Sequence, residues 1–98
     1  MGITGFANYR TQVIHIKDKR KYSNRDCIYI GRPSKWRNPF VIGKDGNREE
    51  VISKYKAMLC SRPDLVDDAS IELKGAILMC YCKPKACHGD ILVELIEK

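Results

Sequence analysis

The chain has 98 residues, with 18 Lys+Arg against 12 Asp+Glu and a formal net charge of +6. At about 150 residues per domain, this length gives one domain, 1–98, and excludes a large enzyme with separate cofactor and substrate domains. A 44% apolar share excludes wholesale disorder, and no apolar run approaches the ~18–20 residues of a membrane span.

The opening Met1-Gly2-Ile3-Thr4-Gly5-Phe6 lacks the charged and long apolar regions of a signal peptide. Phe6 stands where a myristoylation pattern needs Ser or Thr. The expectation is a soluble, cytoplasmic protein with no membrane partner. The five cysteines are Cys27, Cys60, Cys80, Cys82 and Cys87. An odd count in such a chain argues against a disulfide framework. Residues 1–48 carry eleven Lys/Arg against three acids, a net +8, whereas residues 49–98 carry a net −2. The positive front half favours anionic partners: nucleotides, nucleic acid or phosphorylated metabolites. A solvated basic surface is the plain alternative.

In chain order, residues 1–10 are expected to be loose or to form a short edge element. Residues 11–17 read as a strand with Ile14 and Ile16 on one face. Residues 18–25 read as a polar, basic connection, and residues 27–30 as a second strand. A loop with Pro33 and Pro39 follows, then a short strand over residues 40–42 and a turn at Lys44-Asp45-Gly46. Asn47 with Glu50 forms a capping-box pattern ahead of a helix that runs to Cys60. Pro63 opens a second helix with Leu65, Val66, Ala69 and Leu73 inward and Gly75 closing it. The apolar run 76–82 predicts a central strand covered on both faces. Gly89-Asp90 starts a last helix with Ile91, Leu92, Leu95 and Ile96 inward. Strands separated by helices predict a single small α/β, Rossmann-like three-layer domain with a short, partly parallel sheet.

Two segments carry chemistry. Cys80 and Cys82 share one strand face, and Cys87 and His88 stand at the next helix N-terminus. Such strand–loop–helix corners bind ligands in open α/β sheets, and the helix end favours an anion. Lys83 and Lys85 add charge, and Gly89 would let a ligand approach the backbone. Three readings stand. In the first, Cys87 is a reactive thiolate beside His88, with Asp90 orienting the imidazole. In the second, Cys80, Cys82, Cys87 and His88 hold zinc, although C-x-C-x4-C-H lacks the usual knuckle spacing. In the third, Cys80 is a core residue and the others line a pocket without reacting. Cys27 and Cys60 are read as core. No cofactor is expected, zinc being the alternative.

The other segment is Gly31-Arg32-Pro33-Ser34-Lys35-Trp36-Arg37-Asn38-Pro39-Phe40. Arg forks match phosphate, and Trp36 offers a face to a base. Clustered cations with an aromatic suit a nucleotide or single-strand site. The plain alternative is a surface loop that Trp36 and Phe40 anchor to the core.

Taken together, residues 29–43, with Gly-Arg-Pro-Ser-Lys-Trp and Asn-Pro-Phe, and Cys80-Tyr81-Cys82-Lys83-Pro84 with Cys87-His88-Gly89-Asp90 resemble the signatures of the family called domain of unknown function 4326, found in bacteriophages and bacteria. The resemblance covers roughly residues 26–97. Arg37 stands where glycine is expected, which marks it as peripheral. The family supplies no activity. The corner also resembles that of domain of unknown function 488, a fold-level analogy to nucleotide or nucleic-acid chemistry.

The resulting expectation is a nucleotide or nucleoside derivative held between the 31–40 loop and the 82–90 corner, in nucleotide or base modification. Arg32 and Lys35 would bind phosphate, with Ser34 in the same loop, and Trp36 would stack on or wall the ligand. Asn38 would fix the loop or read a polar edge. Cys82, Lys83, Cys87, His88, Gly89 and Asp90 would line the reactive end. Two alternatives stay open. One is a non-catalytic phage sponge, an anti-defence protein sequestering a host nucleotide signal that is ADP-ribose-like or cyclic. The other is a basic nucleic-acid-binding module. A homo-oligomer whose protomers complete one pocket also stays open.

Overall fold

The computed structural model describes residues 10–97. The expectation of a loose start therefore lies outside the described residues, apart from Arg10. The element order is β1 (Gln12–His15), a 3-10 helix (Ile16–Tyr22), β2 (Cys27–Tyr29), α1 (Arg48–Cys60), α2 (Pro63–Glu72), β3 (Ile77–Cys80) and α3 (His88–Ile96). The sheet order is β1-β3-β2. Both pairings are parallel, with His15 opposite Cys80 and Tyr29 opposite Met79. Among the described residues the sheet is thus wholly parallel, not partly so.

β3 is central because its four residues are all buried, as a strand covered on both faces requires. Leu78 and Cys80 join the core that includes Tyr55, Leu59, Leu73 and Leu92 from the helical side. Ile77 and Met79 point to the opposite face, where Ile14 completes a smaller core. Ile16 and Tyr22 of the 3-10 helix pack there. The basic connection expected after β1 is therefore an ordered layer. Its start is set by His15, whose Nδ1 accepts from the Lys17 N–H at 3.0 Å, so β1 stops short of Lys17.

The local signals at α1 hold. Glu50 N–H donates to Asn47 Oδ1 and Asn47 N–H to Glu50 Oε1, both at 2.8 Å. Val51, Tyr55 and Leu59 form the buried stripe at helical spacing. Pro63 sits in the first turn of α2, and Gly75 adopts φ +81° beyond its end, a conformation that favours glycine.

Three expectations fail. Residues 40–42 form no strand, only a single bridge between Ile42 and Gly46. β3 ends at Cys80, so Cys82 lies in the turn beyond it. Cys60 is exposed, because the buried stripe of α1 passes through Leu59 instead. No helix among the described residues is long and apolar enough to cross a membrane.

Candidate functional site

A cavity of about 410 Å³ opens between the loop after β2 and the turn after β3. Gly31, Arg32, Asn38 and Phe40 border it from one segment, and Cys80, Cys82, Cys87 and His88 from the other. The two segments expected to share a site therefore meet. The carboxyl ends of parallel strands are where an open α/β sheet leaves room for a ligand.

The join is made by His88. Its Nε2 lies 2.9 Å from the Ile30 carbonyl oxygen. A carbonyl only accepts, so Nε2 carries the hydrogen and Nδ1 presents a lone pair. Nδ1 faces Cys87 Sγ at 3.6 Å. The ring is buried and rests edge-on against Tyr55 at 5.1 Å between centroids. Burial lowers its pKa from the ordinary histidine value, the Ile30 carbonyl opposing, so the imidazole is neutral near pH 7.

Cys87 is the N-cap of α3. Its Sγ accepts from the Gly89 N–H at 3.3 Å, and its own N–H donates to Asp90 Oδ2 at 3.0 Å. Asp90 Oδ1 takes Lys83 Nζ at 2.6 Å. Asp90 thus closes a capping box and holds the turn; Ile30, not Asp90, orients His88. Neighbouring residues facing each other require the cap geometry, in which Cys87 is extended (φ −148°) before the helix begins.

The thiol expected to ionise is not the one favoured. The interaction with Cys80 and burial push the Cys87 thiol up, the Gly89 N–H opposing. The Cys80 thiol moves down to about 5, chiefly through its interaction with Cys87 and against burial, aided by backbone N–H groups of Lys83 and Cys82. The interaction thus makes Cys80 the more acidic thiol of the two and Cys87 the less acidic. Cys80, also a candidate core hydrophobe, lines the cavity while only 2% exposed. For the zinc alternative, His88 Nε2 is occupied by Ile30. Among the described residues no group of three His, Cys, Asp or Glu side chains could hold a metal ion.

The loop residues divide. Arg32 borders the cavity and donates to the Asn38 carbonyl at 3.1 Å. Asn38 fixes the loop: its Nδ2 donates to Val51 O at 3.1 Å and its Oδ1 accepts from the Phe40 N–H at 2.9 Å. Trp36 instead lies in the core, 4% exposed, with its carbonyl accepting from the Tyr55 hydroxyl at 2.7 Å. It is an anchor, because the large apolar ring gains more from burial than from lining an open cleft. Lys35 turns to α2, 2.7 Å from Glu72, and Ser34 Oγ accepts from the Trp36 N–H at 3.3 Å. Neither borders the cavity. Nor do Lys83, Asp90 and Gly89. A Cβ on Gly89 would lie 2.7 Å from Ile30 Cδ1, so this glycine serves helix–sheet packing, not ligand approach.

Arg48 was not anticipated. The first residue of α1, it borders the cavity and donates from Nη1 to Ala86 O at 3.0 Å. Its only sequence signal is its place after the N-cap. Tyr29 and Tyr81 also border the cavity.

Fold and site together define a small α/β protein whose parallel sheet opens, at its carboxyl edge, into a cavity bordered by two arginines, three thiols and an imidazole. The chain belongs to the family described as domain of unknown function (DUF4326), whose model matches residues 14–98. It is 37% identical over 82 residues to the "Uncharacterized 12.4 kDa protein in nrdA-td intergenic region" of Enterobacteria phage T4, covering 80% of this chain and 74% of that protein. It is 32% identical over 104 residues to "Uncharacterized protein R718" of Acanthamoeba polyphaga mimivirus, covering 87% of this chain and 78% of that one. No solved structure matches significantly.

Proposed function

We propose that the chain binds a phosphate-bearing nucleotide or nucleoside derivative in this cavity, in nucleotide or base modification in the cytoplasm. The observation that carries the reading is the charge of the walls: among the described residues Arg32 and Arg48 border the cavity and no Asp or Glu does. Each guanidinium has five N–H donors and donates to one backbone carbonyl, so both retain a fork for phosphate oxygens. Phe40, Val41 and Ile52 make an apolar wall, and Tyr29 and Tyr81 add rings for a base. Cys80, Cys87 and His88 give the floor two sulfurs and a neutral imidazole whose Nδ1 faces Cys87.

The test is a thermal-shift panel of nucleoside mono- and diphosphates, ADP-ribose and cyclic nucleotides. A ligand at 100 times Kd adds about 2.7 kcal/mol of stability. Replacing Arg32 or Arg48 with methionine should weaken that ligand by roughly tenfold or more, the worth of a charge-assisted hydrogen bond. Consumption of the ligand marks an enzyme, whereas its unchanged recovery after denaturation marks a sequestering protein. A panel that stabilises nothing overturns the reading.

A further inference from the structure

Each of the three parallel strands delivers an aromatic ring to one edge of the sheet. His15 ends β1, Tyr29 ends β2, and Tyr81 follows the last residue of the central strand β3. Tyr81 is 66% exposed, although it directly follows a fully buried strand. His15 and Tyr29 meet it edge-to-face, with centroids 5.8 and 5.9 Å away and interplanar angles of 87° and 78°. The ring is thus held in place by neighbours while most of it stays in water. Such a ring contributes little to the core, and large exposed aromatics mark contact surfaces.

Tyr81 stands between two depressions. It borders the cavity already described, whereas its neighbour His15 borders a second, of about 630 Å³. Lys17, Lys21 and Lys83 border the second, with Asp18 as its acid. Lys21 pairs with Asp18 at 3.6 Å and Lys83 with Asp90 at 2.6 Å, but an ammonium has three donors and each pair leaves some unused. Lys19 and Arg20 of the same 3-10 helix lie apart from this edge, bordering a separate depression with Arg25 and Asp26. An exposed, immobilised ring flanked by cations is the composition of a single-strand site. The bases stack on the aromatic face and the phosphates follow the charge.

We propose that this edge binds single-stranded nucleic acid, with one nucleotide in the arginine-rimmed cavity, the next base on Tyr81 and the following phosphates at Lys17 and Lys21. This rests on the nucleotide reading of the cavity and narrows its substrate class to a nucleotide carried in a strand. A duplex is excluded as ligand because its bases are stacked on one another and do not reach the Tyr81 ring.

The experiment measures binding of the whole chain to labelled single-stranded DNA and RNA oligonucleotides, to the matching duplexes and to mononucleotides, across a salt series. A single strand should bind more tightly than any mononucleotide and more tightly than its duplex. Tyr81→Ala should weaken strand binding by roughly tenfold. Because Tyr81 also borders the first cavity, a second variant is needed. Lys17→Gln with Lys21→Gln should flatten the dependence of log affinity on log salt by about 0.7 per lost phosphate contact. If mononucleotides bind but strands bind no more tightly, this extension alone is overturned. If no mononucleotide binds, the nucleotide reading falls and the extension falls with it. Duplex binding equal to single-strand binding also overturns the extension.

Discussion

His88 and Ile30 are joined by a 2.9 Å hydrogen bond that ties the start of the last helix to the end of the second strand, 58 residues apart. One bond does two things. It closes the two motif segments around a common cavity, and it sets the imidazole tautomer that turns Nδ1 toward Cys87. Breaking it is therefore expected to affect both fold and site.

Replacing His88 with alanine leaves the Ile30 carbonyl without its partner and opens a void beside Tyr55. An unsatisfied buried acceptor costs about 1–3 kcal/mol, and the void adds to it. The expected loss is about 2–4 kcal/mol in urea unfolding. A loss below ~1 kcal/mol would show that the bond is not the join described here.

The thiol pair makes a spectroscopic prediction. In the native protein one thiolate should appear in the ultraviolet with a midpoint of about 5, far below the ~8.5 of a free cysteine. Cys80→Ser should remove that step. Cys87→Ser should move it upward, since the partner that stabilises the Cys80 thiolate is weakened. The depressed native value means that stability from this group grows as pH rises above about 5 and is complete above the unfolded thiol value. A first titration at the free-cysteine value in wild type would contradict the assignment.

Trp36 and Lys35, adjacent in the loop, should part company on substitution. Trp36→Ala removes a buried ring and should cost about 3–5 kcal/mol. Lys35→Ala breaks only exposed, solvent-screened contacts with Glu72 and Asp68 and should leave the unfolding midpoint nearly unchanged. Chemical denaturation checks both. A small Trp36→Ala effect accompanied by lost ligand binding would return Trp36 to the pocket wall.

Glu97 links the end of α3 to the start of β1, accepting from the Thr11 hydroxyl at 2.8 Å and the Thr11 N–H at 3.1 Å. Those bonds hold its carboxyl below the ordinary glutamate range. The native value is depressed, so the stabilisation is present above the unfolded glutamate pKa and is lost as pH falls through the native one. Wild type should therefore have a higher Tm than Glu97→Gln at neutral pH. The gap should shrink with acidification below the usual carboxylate range. A pH-independent gap would assign the tie to something other than the charge.

The local elements were legible in the residues themselves. The Asn47–Glu50 box, the stripe Val51, Tyr55, Leu59, the break at Gly75 and the apolar run around Ile77–Cys80 each lie within one or two turns of chain. Their signals need only short-range geometry. The convergence of Arg32 and Asn38 with Cys82, Cys87 and His88 was also expected, because both segments leave carboxyl ends of neighbouring parallel strands.

Side-chain direction in the loops was not legible. Trp36 and Lys35 are consecutive, yet one turns into the core and the other to α2. Arg48 reaches Ala86 across 38 residues. The Cys80 thiol is shifted down and the Cys87 thiol up because a strand end and a helix cap bring the two together. Periodicity within a segment tells which residues prefer burial, so the sequence by itself determined the order and inner faces of the three α-helices and the place of the three strands, though not the 3-10 helix over Ile16–Tyr22. Where a loop side chain finds its partner depends on surfaces that exist only after those elements pack. Tertiary structure alone therefore decided that Arg48 joins Arg32 at the cavity, that Lys35 and Trp36 turn away from it and that Tyr81 stays in water.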